Sequence, residues 1–166
     1  MRRHIANLFV VMTSAVFILI FTIFYFYDWY ILVGKSMLPT FQERDIVLVN
    51  TQTERFKRGD LILFDFKFKG KSIHFNKRIV GLPGDQVEAK GQQLLVNGKP
   101  FYSMANLPGR NVSDFKSVKV PQGHIFVMGD NTDQSIDSRM FGPIPMNRII
   151  GRIDIIIFPF SRLKFL

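Results

Sequence analysis

The chain has 166 residues and a mass of 19.2 kDa, with 47% hydrophobic and 21% charged residues, 18 Phe and no cysteine. That composition excludes a disordered chain, which lacks the apolar surface to offset its ordering entropy; the absent cysteines exclude a disulfide framework, a zinc ribbon, a thiol nucleophile and an iron–sulfur site. The net charge of +9 invites a nucleic-acid partner, but the 20 basic residues from Gly34 onward are scattered among 12 acidic ones. The tightest basic group, Lys67, Lys69 and Lys71, alternates with Phe66 and Phe68 as the solvated face of a strand does. A positive domain beside an anionic bilayer is the better use of that charge, so membrane lipid and not nucleic acid is the expected partner.

The first element is an apolar run. Ile5 to Tyr27 is 23 residues without a charge, about 34 Å of helix, enough for a hydrocarbon core of about 30 Å. Arg2 and Arg3 precede it, and Tyr25, Tyr27, Trp29 and Tyr30 gather at its far end with Asp28. The positive-inside and aromatic-belt rules then agree on a single-pass anchor with a cytoplasmic N-terminus. A cleaved secretory peptide is the competing reading; its apolar core is shorter, about 7 to 15 residues, and no small-x-small site follows here. The expected division is an anchor unit over 1–33 and a second unit over 34–166.

Past Val33 the apolar runs shorten and lie between turn signals, which predicts a mainly β, antiparallel domain. Strands are expected over 46–50, 61–68, 72–81, 86–90, 93–96, 99–102, 117–120, 125–129 and 149–157. Asn97-Gly98 is a two-residue hairpin turn and Leu82-Pro83-Gly84-Asp85 another. The stretch 105–114, with Pro108, Gly109 and Asn111, reads as a long loop in an inserted subdomain over 86–122. The last residues, 153–166, read either as a final core strand or as a segment dipping into the interface with Arg162 and Lys164 at headgroups.

One strand carries a chemical signal. With a period of two, Ile73, Phe75, Lys77 and Ile79 share one face of 72–81, and His74, Asn76, Arg78 and Val80 the other. Lys77 is therefore on the apolar side. Either its stem snorkels the ammonium to water, or apolar neighbours desolvate the amine and turn it into a usable general base. A neutral amine needs a nucleophile. Ser36 is the candidate, in Gly34-Lys35-Ser36-Met37-Leu38-Pro39-Thr40, where Gly and Pro bend the backbone around one hydroxyl. A Ser-His-Asp arrangement fares poorly: His4 precedes the anchor, His74 points away from the apolar face, and His124 follows a turn. The three separated histidines offer no ligand spacing, so neither metal nor cofactor is expected.

Taken together the chain resembles the bacterial type I signal peptidases, the membrane-anchored Ser-Lys protease family. Four segments match in order: 36–40 resembles the nucleophile box, 58–64 the strand-opening box, and 77–85 the box holding the base. The last box is resembled by 129–139, followed by Phe141-Gly142-Pro143-Ile144. The resemblance implies a signal-peptidase-type sheet domain in which Ser36 attacks the scissile carbonyl of signal-peptide-bearing secretory precursors and Lys77 is the base. It also implies that the Ser135 hydroxyl bonds the Lys77 amine, and that Asp137 and Arg139 pair to hold their loop. The oxyanion donors would be the Ser36 N–H and a group at position 34, where many relatives place a serine and this chain has Gly34. Met37, Ile73 and Phe75 are expected to wall shallow pockets for small side chains. The implied location is the bacterial cytoplasmic membrane with the peptidase unit outside; Ser36 follows Asp28 by eight residues, at most about 26 Å of extended chain. Two other functions fit less of this: a dedicated maturation peptidase for one substrate, such as a conjugative pilin, and a catalytically inactive anchored binding module.

Overall fold

The structure, a computed structural model, describes residues 2–68, 70–101 and 112–166. The apolar run forms helix α1 (Arg2–Phe26), in which Asn7–Phe26 has a mean hydropathy of 2.5 and is left unburied by the described residues. Phe9, Phe17, Phe21 and Phe24 are each about 70% exposed. A helix apolar all round with no protein to cover it needs another apolar phase, so α1 is a candidate membrane span. The Thr13 and Thr22 hydroxyls donate back to Phe9, Val10 and Ile18 carbonyls and add no unpaired polar group to that phase.

Residues 27–31 correct one expectation. They form a strand, β1 (Tyr27–Ile31), continuous with α1, so the sheet begins inside the stretch assigned to the anchor. The other strands are β2 (Ile46–Asn50), β3 (Leu61–Phe68), β4 (Lys71–Gly81), β5 (Gln86–Lys90), β6 (Gln93–Val96), β7 (Lys99–Pro100), β8 (Phe115–Lys119), β9 (His124–Met128), β10 (Ile144–Pro145), β11 (Ile149–Phe158) and β12 (Lys164–Phe165). A one-turn helix, α2 (Ser138–Phe141), follows β9. The large antiparallel sheet runs β1-β2-β11-β3-β4-β9-β10, with β12 on β11; β7-β6-β5-β8 form a second, smaller sheet. The end of the expected strand 99–102 and most of the expected loop 105–114 fall in 102–111, outside the described residues; so does Lys69.

The large sheet curls far enough that Tyr30, on its first strand, meets the His74 ring of β4 at 5.8 Å between centroids. Two cores result from the curl. Leu32, Met37, Phe41, Val47, Val49, Leu61, Leu63, Ile153 and Ile156 fill one side, and Ile62, Phe64, Ile79, Ile125, Val127 and Ile144 the other. A third core, around Val80, Val87, Val96, Phe126 and Met128, joins the two sheets. At that junction Asp85 accepts two hydrogen bonds from Arg58 (2.7 and 2.5 Å), one from the Leu82 N–H (2.7 Å) and one from Asn97 (2.9 Å). The hairpin turn takes its expected shape, with Asn97 at φ 54° and Gly98 at φ 71°.

Candidate active site

Lys77 lies in β4 directly opposite Ile62 of β3, with Phe75 and Ile79 flanking it on the same face. Its side chain is 2% exposed. The Nζ donates to Ser36 Oγ at 2.7 Å and to the Asn76 carbonyl at 3.0 Å, and it stands 5.1 Å from the centre of the Phe75 ring. Burial lowers the amine from its ordinary value to about 8, against the pull of Asp137 and Asp130, which favour the charged form. The amine on the apolar face is thus desolvated and does not reach water.

The loop that presents Ser36 is held from behind. The Asn131 N–H donates to the Ser36 carbonyl at 2.8 Å, and the Asn131 side chain to the Lys35 carbonyl at 3.0 Å. Thr40 donates to Asp130, whose carboxylate also takes a bidentate pair from Arg78 at 2.8 and 2.6 Å. Arg78 sits next to Lys77 on the opposite face, so adjacent residues of one strand contact Ser36 directly and brace its loop through Asp130. Gly129 lets the loops close: a Cβ there would come within 2.5 Å of the Ser36 carbonyl and would strike Ser135. Thr40, Arg78, Gly129 and Asp130 were not given this role from sequence; the signal that could have found them is the Arg beside Lys77 in a largely apolar strand, which calls for a carboxylate partner.

Asp137 and Arg139 pair as expected, Arg139 donating to both carboxylate oxygens at 2.8 and 2.9 Å and to the Thr132 carbonyl at 2.7 Å. Asp137 also accepts from the Gly129 N–H at 3.0 Å. The bond expected from Ser135 to Lys77 is not formed. The Ser135 Oγ is buried with no hydrogen-bond partner among the described residues, and the Asn76 carbonyl takes the place it was expected to fill. The pocket walls divide as well. Met37 is a core residue, 2% exposed, whose Sδ accepts from the Asp130 N–H at 3.4 Å, so it packs the loop and does not offer an open wall. Ile73 is 39% exposed on the Lys77 face of β4, with half-buried Phe75 between them. Gly34 has φ 99°, a conformation that strains any side chain, so position 34 contributes backbone alone.

Neither His74 nor His124 is hydrogen-bonded to Ser36 or Lys77. His74 faces Asp65 at 3.5 Å and the Tyr30 ring, and His124 Nδ1 lies 3.0 Å from the Gln122 carbonyl in its own turn. Among the described residues, β9 pairs with the β4 edge away from β3 from Arg78 to Gly81. Residues 71–77 precede that pairing and lead along β4 to the Lys77–Ser36 contact.

The family model described as signal peptidase, peptidase S26, matches residues 5–158. The chain belongs to the signal peptidase S26 family. Signal peptidase I P of Bacillus subtilis subsp. natto is 39% identical over 153 residues, covering 84% of this chain and 81% of the relative. Signal peptidase I of Bacillus caldolyticus is 37% identical over 152 residues, covering 82% of each. A crystal structure of a signal peptidase I from Enterococcus faecalis V583 aligns with a TM-score of 0.50 at 30% identity, over 61% of this chain and 98% of that one.

Proposed function

We propose that this member of the family, a serine endopeptidase, removes signal peptides from secretory precursors with Ser36 as nucleophile and Lys77 as general base. The observation that carries the reading is the 2.7 Å bond between Lys77 Nζ and Ser36 Oγ, in surroundings that hold the amine near 8. Neutral Lys77 takes the Ser36 proton as Oγ attacks the scissile carbonyl. The Ser36 N–H, which has no acceptor among the described residues, is free to donate to the oxyanion. Lys77 returns the proton to the leaving amine, and the acyl-enzyme forms. Neutral again, Lys77 takes a proton from water as the water oxygen attacks the ester, and gives it to the departing Ser36 Oγ, which releases the acid and restores both groups. Asp137 and Arg139 hold the loop that backs the dyad.

The stretch of β4 ahead of its pairing with β9 is placed to guide an extended substrate alongside the sheet, with the scissile carbonyl at Ser36. Ile73 and Phe75 then border the side chains preceding the cut. The proposed topology has the N-terminus in the cytoplasm, α1 across the bacterial cytoplasmic membrane and the sheets outside. Supporting it, Arg2 and Arg3 open α1 ahead of its apolar run and Ser36 follows β1 by five residues, which keeps the nucleophile near the plane where membrane-held precursors present their cleavage sites.

Ser36→Ala and Lys77→Ala each abolish precursor cleavage, while circular dichroism and cooperative unfolding stay those of a folded chain. Full activity in a folded Lys77→Ala protein rejects the dyad. A panel of unrelated precursors is cleaved throughout by a general signal peptidase; cleavage of one alone indicates a dedicated maturation enzyme.

A further inference from the structure

The large sheet carries a second depression, on the face away from Lys77. This cleft, about 690 Å³ in volume, is lined by Tyr27, Lys57, Arg78, Arg152, Lys164 and Phe165, among others. Its place follows from the chain: Tyr27 is the residue directly after α1, so on the membrane-span reading the cleft opens at the level of the lipid headgroups.

Its charge is unbalanced. The lining holds four cationic side chains and two acidic ones, Asp60 and Asp154. Both carboxylates are engaged, Asp154 by Arg152 at 2.6 Å and by Tyr27, and Asp60 by the Lys57 N–H at 2.9 Å. Arg78 is held by Asp130. Lys57 and Lys164 are exposed and form no ion pair among the described residues, so with Arg78 and Arg152 paired to carboxylates two ammonium groups in the lining face one remaining carboxylate, Asp60. Beside them the apolar rim is bare, with Phe165 77% and Leu166 42% exposed. Cations next to apolar surface at headgroup height match one ligand chemistry, a phosphodiester attached to acyl chains.

We propose that this cleft binds the headgroup of an anionic phospholipid, with Lys57 and Lys164 at the phosphate and Phe165 against the upper acyl chain. The inference rests on α1 spanning the membrane. Its consequence is positional: the inner wall includes Thr40 and Arg78, members of the network behind Ser36, so a seated lipid fixes the height of the nucleophile loop over the bilayer.

The test uses the full chain in dodecyl maltoside micelles supplemented with phosphatidylglycerol or phosphatidylcholine, and native mass spectrometry to count retained lipid. Phosphatidylglycerol is expected to be retained at about tenfold lower concentration than phosphatidylcholine, and Lys57→Gln with Lys164→Gln to abolish that preference. Lys57→Arg with Lys164→Arg keeps it. Lys90→Gln with Lys99→Gln, an equal charge change on the small sheet, keeps it too. Equal retention of the two lipids, no retention, an unaffected Lys57/Lys164 glutamine variant or an equally weakened Lys90/Lys99 variant overturns the proposal. Displacement of phosphatidylglycerol by equimolar inorganic phosphate also overturns it and marks a site for free phosphate. The peptidase reading stands apart, because Ser36→Ala abolishes cleavage whichever way the lipid titration falls.

Discussion

Lys77 carries a cost that the fold accepts. Burial lowers its amine from 10.5 to about 8, about 3 kcal/mol of differential solvation against the protonated form. The sign follows from proton counts. Between pH 8 and 10.5 the unfolded chain keeps this proton and the folded chain does not, so stability rises with pH across that window and the penalty is fully present below it. Lys77→Met is therefore expected to raise stability by about 1–3 kcal/mol at pH 7, offset in part by two lost hydrogen bonds. The gain shrinks as pH climbs past 8, and cleavage is lost throughout; urea unfolding at several pH values measures it. Gly129 is the opposite case, a residue with no chemistry whose missing side chain is the point. Gly129→Ala forces the Ser36 carbonyl and Ser135 apart from β9, and kcat/KM is expected to fall by about 100-fold with the fold retained. A variant within twofold of wild type would show that the nucleophile loop has slack that the 2.5 Å approach denies.

At the scale of elements, one carboxylate gathers the polar contacts where the two sheets meet. Burial pushes Asp85 up, but Arg58, the Leu82 N–H and Asn97 outweigh it and hold the group at about 2. A depressed carboxylate contributes stability above its unfolded value near 3.8, and loses it as pH falls through about 2. Asp85→Asn is expected to cost about 2 kcal/mol at neutral pH, with wild type and variant converging by pH 2 in denaturant melts. Strand alternation made much of this legible. The period of two in β4 put Lys77 among Ile73, Phe75 and Ile79 before any contact was known, and Asn97-Gly98 marked its hairpin. β1 was not legible, because Tyr27, Trp29 and Tyr30 read equally well as aromatics of a membrane interface; only pairing with β2, remote in sequence, makes them a strand. The Thr40–Arg78–Asp130 brace was hidden for the same reason: its members lie 38 and 52 residues apart, and local pattern holds no record of such contacts. Ser135 shows the limit of resemblance, since the residue is where it was expected but its hydroxyl bonds nothing in the described structure.

For the molecule as a whole, one short path joins the candidate span to the chemistry. α1 ends at Phe26, β1 carries the chain along the sheet edge, and Ser36 follows within ten residues of the helix. On the proposed reading, candidate span, β4 strand and Ser36–Lys77 pair form a continuous device for meeting an extended chain at a membrane surface, idle unless one amine is neutral. The decisive measurement is the pH dependence of kcat/KM for precursor cleavage, which reports the essential groups of the free enzyme. A single rising limb with an apparent pKa near 8 is the predicted result. A limb above 10, where an exposed lysine titrates, or the same limb persisting in a folded Lys77→Ala protein, would contradict the assignment of Lys77 as the base.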